Sequence, residues 1–200
     1  LLIRLALLLP WRLRVWLMGW LTRRVIAPLA GWRARARANL AHVWPERPEA
    51  ERRRIADGAA DNAGRTMIEN YDIAGLRARA CDAEVRGPGL AAAEAAQAEG
   101  RPVLFVTGHY GNHEVPRAVL VARGFRVGGL YRPMANPYFN AHYAANMHAL
   151  SGPVFEQGPR GTMGLLRHIR GGGMGVLLFD IYAGAGEPID FLGKPAPTLT

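Results

Sequence analysis

Apolar residues crowd the start of the chain. Leu1 to Leu9 is broken only by Arg4 and Ala6, and Trp11, Trp16, Trp20 and Trp32 follow among arginines. Leu13, Val15, Trp16, Leu17, Met18, Trp20 and Leu21 predict a helix with one broad apolar face. Arg12, Arg14, Arg23 and Arg24 fall at the margins of that face, where long stems can lie on apolar surface while the charged heads reach out. No uncharged run attains the ~18–20 residues that a membrane-spanning helix needs. Tryptophan favours the headgroup level and arginine attracts anionic lipid, so the segment is expected to associate with a membrane surface. The alternative is a Trp-rich helix packed on its own domain.

Beyond this segment the pattern changes to alternating elements. Pro45 and Pro48 mark a turn, and residues 49–71 predict a helix from the recurrence of Ile55, Ala59, Asn62, Ala63, Thr66, Met67 and Asn70. Gly87, Pro88 and Gly89 interrupt the chain, and an alanine-rich helix over 90–99 ends at Gly100. Val103 to Thr107 predicts a short strand, 114–123 a helix and 125–131 a second strand. A helix over 138–150, an extended piece at 153–156, a helix over 162–170 and a strand over 175–180 complete the alternation. Such an order predicts an α/β fold: a central, mostly parallel sheet flanked by helices, preceded by a membrane-associated helix. The expected division is 1–44 as the N-terminal segment and 45–200 as the α/β domain.

Charge sharpens this division. The formal net charge is +9, yet the first 45 residues hold eight arginines and no acid, while the other 155 hold 17 basic and 16 acidic side chains. A nucleic-acid binder usually spreads its charge over the folded surface, so no nucleic-acid partner is expected. A single cysteine, Cys81, excludes a disulfide framework and any multi-cysteine metal site.

The chemistry collects where the first predicted strand ends. Thr107-Gly-His-Tyr-Gly-Asn-His-Glu114 follows that strand at the carboxyl edge, where open α/β sheets place their sites. On a regular helix, positions five apart such as His109 and Glu114 lie ~140° from one another, so they meet only if His109 sits in a turn and Glu114 in the first helical turn. Gly108 and Gly111 permit such a bend. A carboxylate bonded to one imidazole nitrogen raises the basicity of the other, which makes a general base. Two polar residues capping a helix start would show the same spacing. A third reading is zinc, held by His109 and His113 at i, i+4 with Glu114 as a further ligand, as in a metal-dependent hydrolase.

Four ordered blocks resemble one family. His109-Tyr-Gly-Asn-His-Glu114 resembles the His-x4-Asp/Glu block of glycerolipid acyltransferases, in the form found in bacterial lipid A biosynthesis (lauroyl/myristoyl) acyltransferases. Tyr131-Arg-Pro-Met-Ala-Asn-Pro137 is similar to that family's Tyr-Arg-Pro-x-x-Asn-Pro block. Gly171-Gly-Gly173 before Val176-Leu-Leu-Phe-Asp180 resembles its glycine turn, strand and aspartate, and Phe191-Leu-Gly-Lys-Pro-Ala-Pro-Thr198 its last block. There are three departures from the family's usual pattern: His113 stands for tryptophan, Ile181 for glutamine or histidine, and the 138–150 helix has Asn146 and Met147 near its end, where an arginine is usual.

The resemblance implies a glycerolipid acyltransferase-like fold and a membrane-surface enzyme at the cytoplasmic face of the inner membrane. It would move a fatty acyl chain from acyl carrier protein to a hydroxyl of a lipid A precursor. His109 and Glu114 take the family's catalytic positions, Arg132 and Asp180 its arginine and late aspartate, and Asn112 is a third substrate-binding candidate. No metal and no cofactor are implied. Arg160, Arg167 and Arg170 are candidates for docking acidic acyl carrier protein. A lysophospholipid or aminolipid acceptor and a non-catalytic membrane-binding protein are the alternatives. Family members are longer, so the chain is expected to be truncated at its C-terminus.

Overall fold

The computed structural model describes residues 2–181 and 186–198. Leu1, at the head of the apolar run, lies outside the described residues. Two compact units emerge: the first holds residues 1–72, 110–112 and 180–200, and the second 73–109 and 113–179.

The first unit is mainly helical, with α1 (Leu2–Leu7), α2 (Trp11–Leu21), α3 (Ala27–Leu29), α4 (Trp32–Val43) and α5 (Glu49–Asn70). A π-helical stretch, Thr22–Ile26, joins α2 to α3. Glu49 and Glu51 occupy the first turn of α5, where the helix dipole favours negative charge. Helices α2 and α5 cross closely at Gly64, since a Cβ there would collide with the Met18 carbonyl and the Thr22 side chain. Among the described residues, no helix is long and apolar enough to cross a membrane.

Of the four arginines expected at the helix margin, Arg12 and Arg24 are exposed, whereas Arg14 and Arg23 reach acids. Arg14 turns inward, pairing with Asp72 and donating to the Leu7 carbonyl at 3.1 Å. Arg33 Nε donates to Asp57 Oδ1 at 2.9 Å, and Arg23 Nε lies 3.6 Å from Asp57 Oδ2. Arg37 and Arg53 both hold Glu49, whose pKa is lowered by the hydrogen bond from Arg53 first and from Arg37 second. The acids come from residues 49–72, so long-range pairing, invisible to helical spacing, claims half of the N-terminal cations. Arg4, Arg12, Arg24 and Arg35 have no acid within ion-pair distance among the described residues.

The second unit contains α6 (Ile73–Ala80), α7 (Gly89–Ala98), β1 (Val103–Thr107), α8 (Glu114–Ala122), β2 (Val127–Tyr131), α9 (Pro137–Leu150), β3 (Val154–Glu156), α10 (Pro159–Arg170) and β4 (Met174–Leu178). Its sheet runs β1-β4-β2-β3, parallel throughout. Val103 pairs with Met174 and Thr107 with Leu178. The last strand is shorter than the sequence pattern implies: Phe179 and Asp180 extend past it into exposed chain, although the Phe179 N–H still donates to the Thr107 carbonyl at 3.1 Å.

Core packing in this unit has two parts. Ala93, Phe125, Val127 and Met174 form one cluster, with Phe105 edge-on to Phe125 at 6.3 Å between ring centres. Leu76, Ala80, Ala118, Val119 and Leu150 form the other, where α6 lies on α8. The two glycines of β2 serve opposite faces of the sheet. A Cβ at Gly128 would press on the His168 ring of α10, and one at Gly129 would meet Val176 Cγ1 at 3.3 Å and Arg117 Nη1 at 3.5 Å. Residues of the first unit return as an antiparallel hairpin, β5 (Glu187–Phe191) and β6 (Lys194–Thr198), turned through Leu192 and Gly193 at positive φ.

Candidate functional site

The site begins where β1 stops at Thr107. The turn that follows uses one left-handed residue, Gly111 at φ 58°, whereas Gly108 takes no positive φ. Only one of the two expected hinges is therefore conformationally special. His113 occupies the cap position of α8 without a side-chain capping bond, and Glu114 opens the helix.

This geometry gathers three side chains. The rings of His109 and His113 meet edge-on with centres 4.8 Å apart. His113 Nε2 lies 4.0 Å from Glu114 Oε1. His109 is exposed, while Glu114 is only 6% exposed. The other carboxylate oxygen, Oε2, lies 3.0 Å from Nε of Arg117, itself 3% exposed. That Nε–H is not directed along the contact, so charge rather than an aligned hydrogen bond binds the pair. Helical spacing at i, i+3 explains their meeting. Arg117 is the residue that sequence reasoning passed over. Its one available signal was a cation three positions after the acid, which usually means an ordinary surface pair.

The remaining candidates occupy different settings. Asn112 belongs to the first unit, where its Nδ2 donates to Glu69 Oε2 at 3.0 Å; Thr66 Oγ1 donates to the neighbouring Gly111 carbonyl at 3.2 Å. Arg132 stands exposed directly after β2. The block that follows it builds the start of α9. Asn136 Oδ1 accepts from the Tyr138 and Phe139 N–H groups at 3.0 and 3.1 Å, with Pro137 in the first turn. Both are strong helix-start devices, so part of that motif serves local structure. Asp180 is exposed two residues beyond β4.

An apolar cavity of about 530 Å³ lies beside α8 in the second unit, lined by Val85, Leu90, Phe105, Val115, Val119 and Leu120 among others. Its volume falls in the roughly 300–1,000 Å³ range of small-molecule pockets. Val115, next to Glu114 in sequence, belongs to its wall. No three His, Cys, Asp or Glu side chains cluster closely enough to hold a metal among the described residues. The zinc reading of His109, His113 and Glu114 therefore has no ligand set.

Comparison with known proteins adds a family. A family model described as bacterial lipid A biosynthesis acyltransferase matches residues 1–200. The chain is similar to a lipid A biosynthesis acyltransferase of Haemophilus influenzae, 26% identical over 192 residues, covering 95% of this chain and 60% of that protein. It is also similar to a lipid A biosynthesis myristoyltransferase of Escherichia coli K12, 25% identical over 169 residues, covering 84% and 52%. The chain thus spans 52–60% of the length of these relatives.

Proposed function

Since the chain belongs to the bacterial lipid A biosynthesis acyltransferase family, we propose that it transfers a fatty acyl chain from an acyl carrier protein thioester to a hydroxyl of a lipid A precursor. The observation that carries this reading is the cluster at the end of β1: an exposed His109 beside His113, with Glu114 buried at the base of the turn.

In this reaction a ring nitrogen of His109 takes the acceptor hydroxyl proton, and Glu114 stabilises the resulting imidazolium. The acceptor oxygen attacks the thioester carbonyl. The tetrahedral intermediate then collapses, the ester bond forms, and the carrier's thiolate leaves with the proton returned from the imidazolium. The developing oxyanion needs donors, which backbone N–H groups at the start of α8 or the guanidinium of Arg132 can supply. Arg132 is otherwise suited to an acceptor phosphate, whose oxygens match its planar fork. Asp180 and Asn112 are the further substrate-side candidates, Asn112 through the turn it braces. The apolar cavity beside α8 is where we lodge the hydrocarbon chain.

Catalysis is proposed at the cytoplasmic face of the inner membrane. Support comes from the exposed aromatic and aliphatic side chains of the first unit, including Trp16 at 54% exposure and Leu8 at 81%, together with exposed Arg12 and Arg24. The experiment is direct: acyl carrier protein thioesters and a lipid A precursor or a lysophospholipid, read by mass spectrometry. The expected product is the acylated lipid A precursor, absent with His109→Ala. Acylation of the lysophospholipid alone would replace the proposed acceptor.

A further inference from the structure

Glu114 and Arg117 are the two charged residues fully buried in the second unit, among the described residues. Replacing a buried ion pair with apolar side chains of similar size is often neutral or stabilising. A buried pair next to an exposed histidine therefore calls for a reason other than stability.

Three structural features hold the guanidinium. Its Nε lies 3.0 Å from Glu114 Oε2, and its Nη2 donates to the Met147 carbonyl of α9 at 3.2 Å, with Met147 Sδ at 3.8 Å. Gly129 of β2 lies alongside Nη1, where a Cβ would stand 3.5 Å away in ordinary van der Waals contact. The guanidinium is thus held by α9, an element distant in sequence from Glu114, and lies 3.0 Å from one carboxylate oxygen. The other oxygen, Oε1, faces the histidine side, 4.0 Å from His113 Nε2.

We propose that Arg117 is a positioning residue for the proposed acyl transfer: it anchors Oε2 of Glu114 so that Oε1 stays turned toward the histidine pair, 4.0 Å from Nε2 of His113, on whose ring the proposed base His109 packs edge-on. This rests on the His109–Glu114 reading above. Burying a charge is costly unless it is paired. Arg117 supplies the compensating charge from the side away from the histidines.

The test is a double-mutant cycle on the full chain, with Arg117→Met, Glu114→Gln and their combination. Against the wild-type background, Arg117→Met is expected to lower kcat by about 10- to 100-fold, the range of strong coupling between contacting residues, with KM for thioester and acceptor within about twofold. Added to Glu114→Gln, it is expected to cost less than about twofold, because the group it positions is no longer charged. Equal losses in both backgrounds, or a wild-type kcat in Arg117→Met, would overturn the proposal. Arg117→Lys, which keeps the charge and spares the fold, is expected to give an intermediate kcat alone and no added loss with Glu114→Gln. Urea unfolding of the same set reads the pairing without activity: Arg117→Met should lower the midpoint strongly in the wild-type background and little beside Glu114→Gln. Equal drops would remove the pairing. A wild-type chain that transfers no acyl group, or one that survives His109→Ala, would instead remove the base reading, while the unfolding cycle still decides whether Arg117 serves Glu114.

Discussion

Asn112 donates through Nδ2 to Oε2 of Glu69 at 3.0 Å, and the other oxygen of that carboxylate accepts from the Trp11 indole at 3.3 Å. A residue three positions from His109 is thereby tied to a helix more than forty residues upstream. Bonds to charged groups contribute about 1.5–3 kcal/mol, so Asn112→Ala should lower stability by an amount of that order. With a bracing role, kcat should fall while KM for the acceptor stays near wild type. A selective rise in acceptor KM would place Asn112 against substrate instead.

The N-terminal arginines divide into two groups with opposite expectations. Arg14 and Arg33 are paired with Asp72 and Asp57, so Arg14→Gln and Arg33→Gln should lower the thermal midpoint and change vesicle binding little. Arg4, Arg12, Arg24 and Arg35, which have no acid within ion-pair distance among the described residues, can meet anionic lipid at roughly 1 kcal/mol each. Replacing these four by glutamine should weaken binding to anionic vesicles and leave the midpoint nearly unchanged. Co-sedimentation with phosphatidylglycerol vesicles reads the first quantity and calorimetry the second; unaltered sedimentation of the fourfold variant would exclude electrostatic membrane docking. Deleting residues 1–24 is a poorer test, because α2 packs closely on α5 around Gly64.

Much of the second unit could be read from the chain. Val103–Thr107 is a strand at both levels, since five apolar or β-branched residues between Pro102 and Gly108 leave few alternatives. Helices α5, α7, α8, α9 and α10 agree with their spacing to within three residues at each end. The hairpin escaped notice because Pro188, Pro195 and Pro197 argue against strands, and only a two-stranded ribbon with free edges tolerates them. The position of β4 between β1 and β2 depends on long-range pairing that no local pattern encodes. The same limit hid the inward turn of Arg14 and the burial of Arg117, both fixed by partners that tertiary folding brings in. His109, Glu114 and the turn between them were legible because their chemistry is concentrated in eight consecutive residues.

Base catalysis at His109 makes a strong kinetic claim. A general base contributes roughly 100- to 10,000-fold, so His109→Ala and Glu114→Gln should each lower kcat by at least the smaller factor. His109 is exposed and contributes little packing, so its alanine variant should unfold at nearly the wild-type temperature. His113→Trp should stay active if His113 only lines the turn. A tryptophan variant as inactive as His109→Ala would make His113 part of the catalytic group.

Arg132 yields a test of acceptor recognition. Exposed after β2, it contributes little to the core, and Arg132→Lys keeps its charge while losing the two-pronged fork. The acceptor KM should rise about tenfold with kcat for bound substrate largely kept, the size expected for one lost charge-assisted bond. Unchanged saturation by the acceptor would remove Arg132 from the site.

The apolar cavity makes the most specific demand on the acyl donor. Ala93, on α7, and Val119, on α8, both contribute to its wall. Ala93 lines the cavity but also belongs to the cluster of Phe125, Val127 and Met174, so the overpacking cost of Ala93→Leu should fall within ~1–3 kcal/mol. If the fatty chain lies there, each buried methylene is stabilised by about 0.8 kcal/mol, close to fourfold in affinity. Blocking room for two or three methylenes should therefore reduce kcat/KM for the longest accepted thioester by about tenfold or more while sparing a chain shorter by four carbons. Competition between the two thioesters in one reaction, read by product mass, measures the ratio directly. An unchanged ratio in a folded Ala93→Leu protein would move the acyl chain out of this cavity.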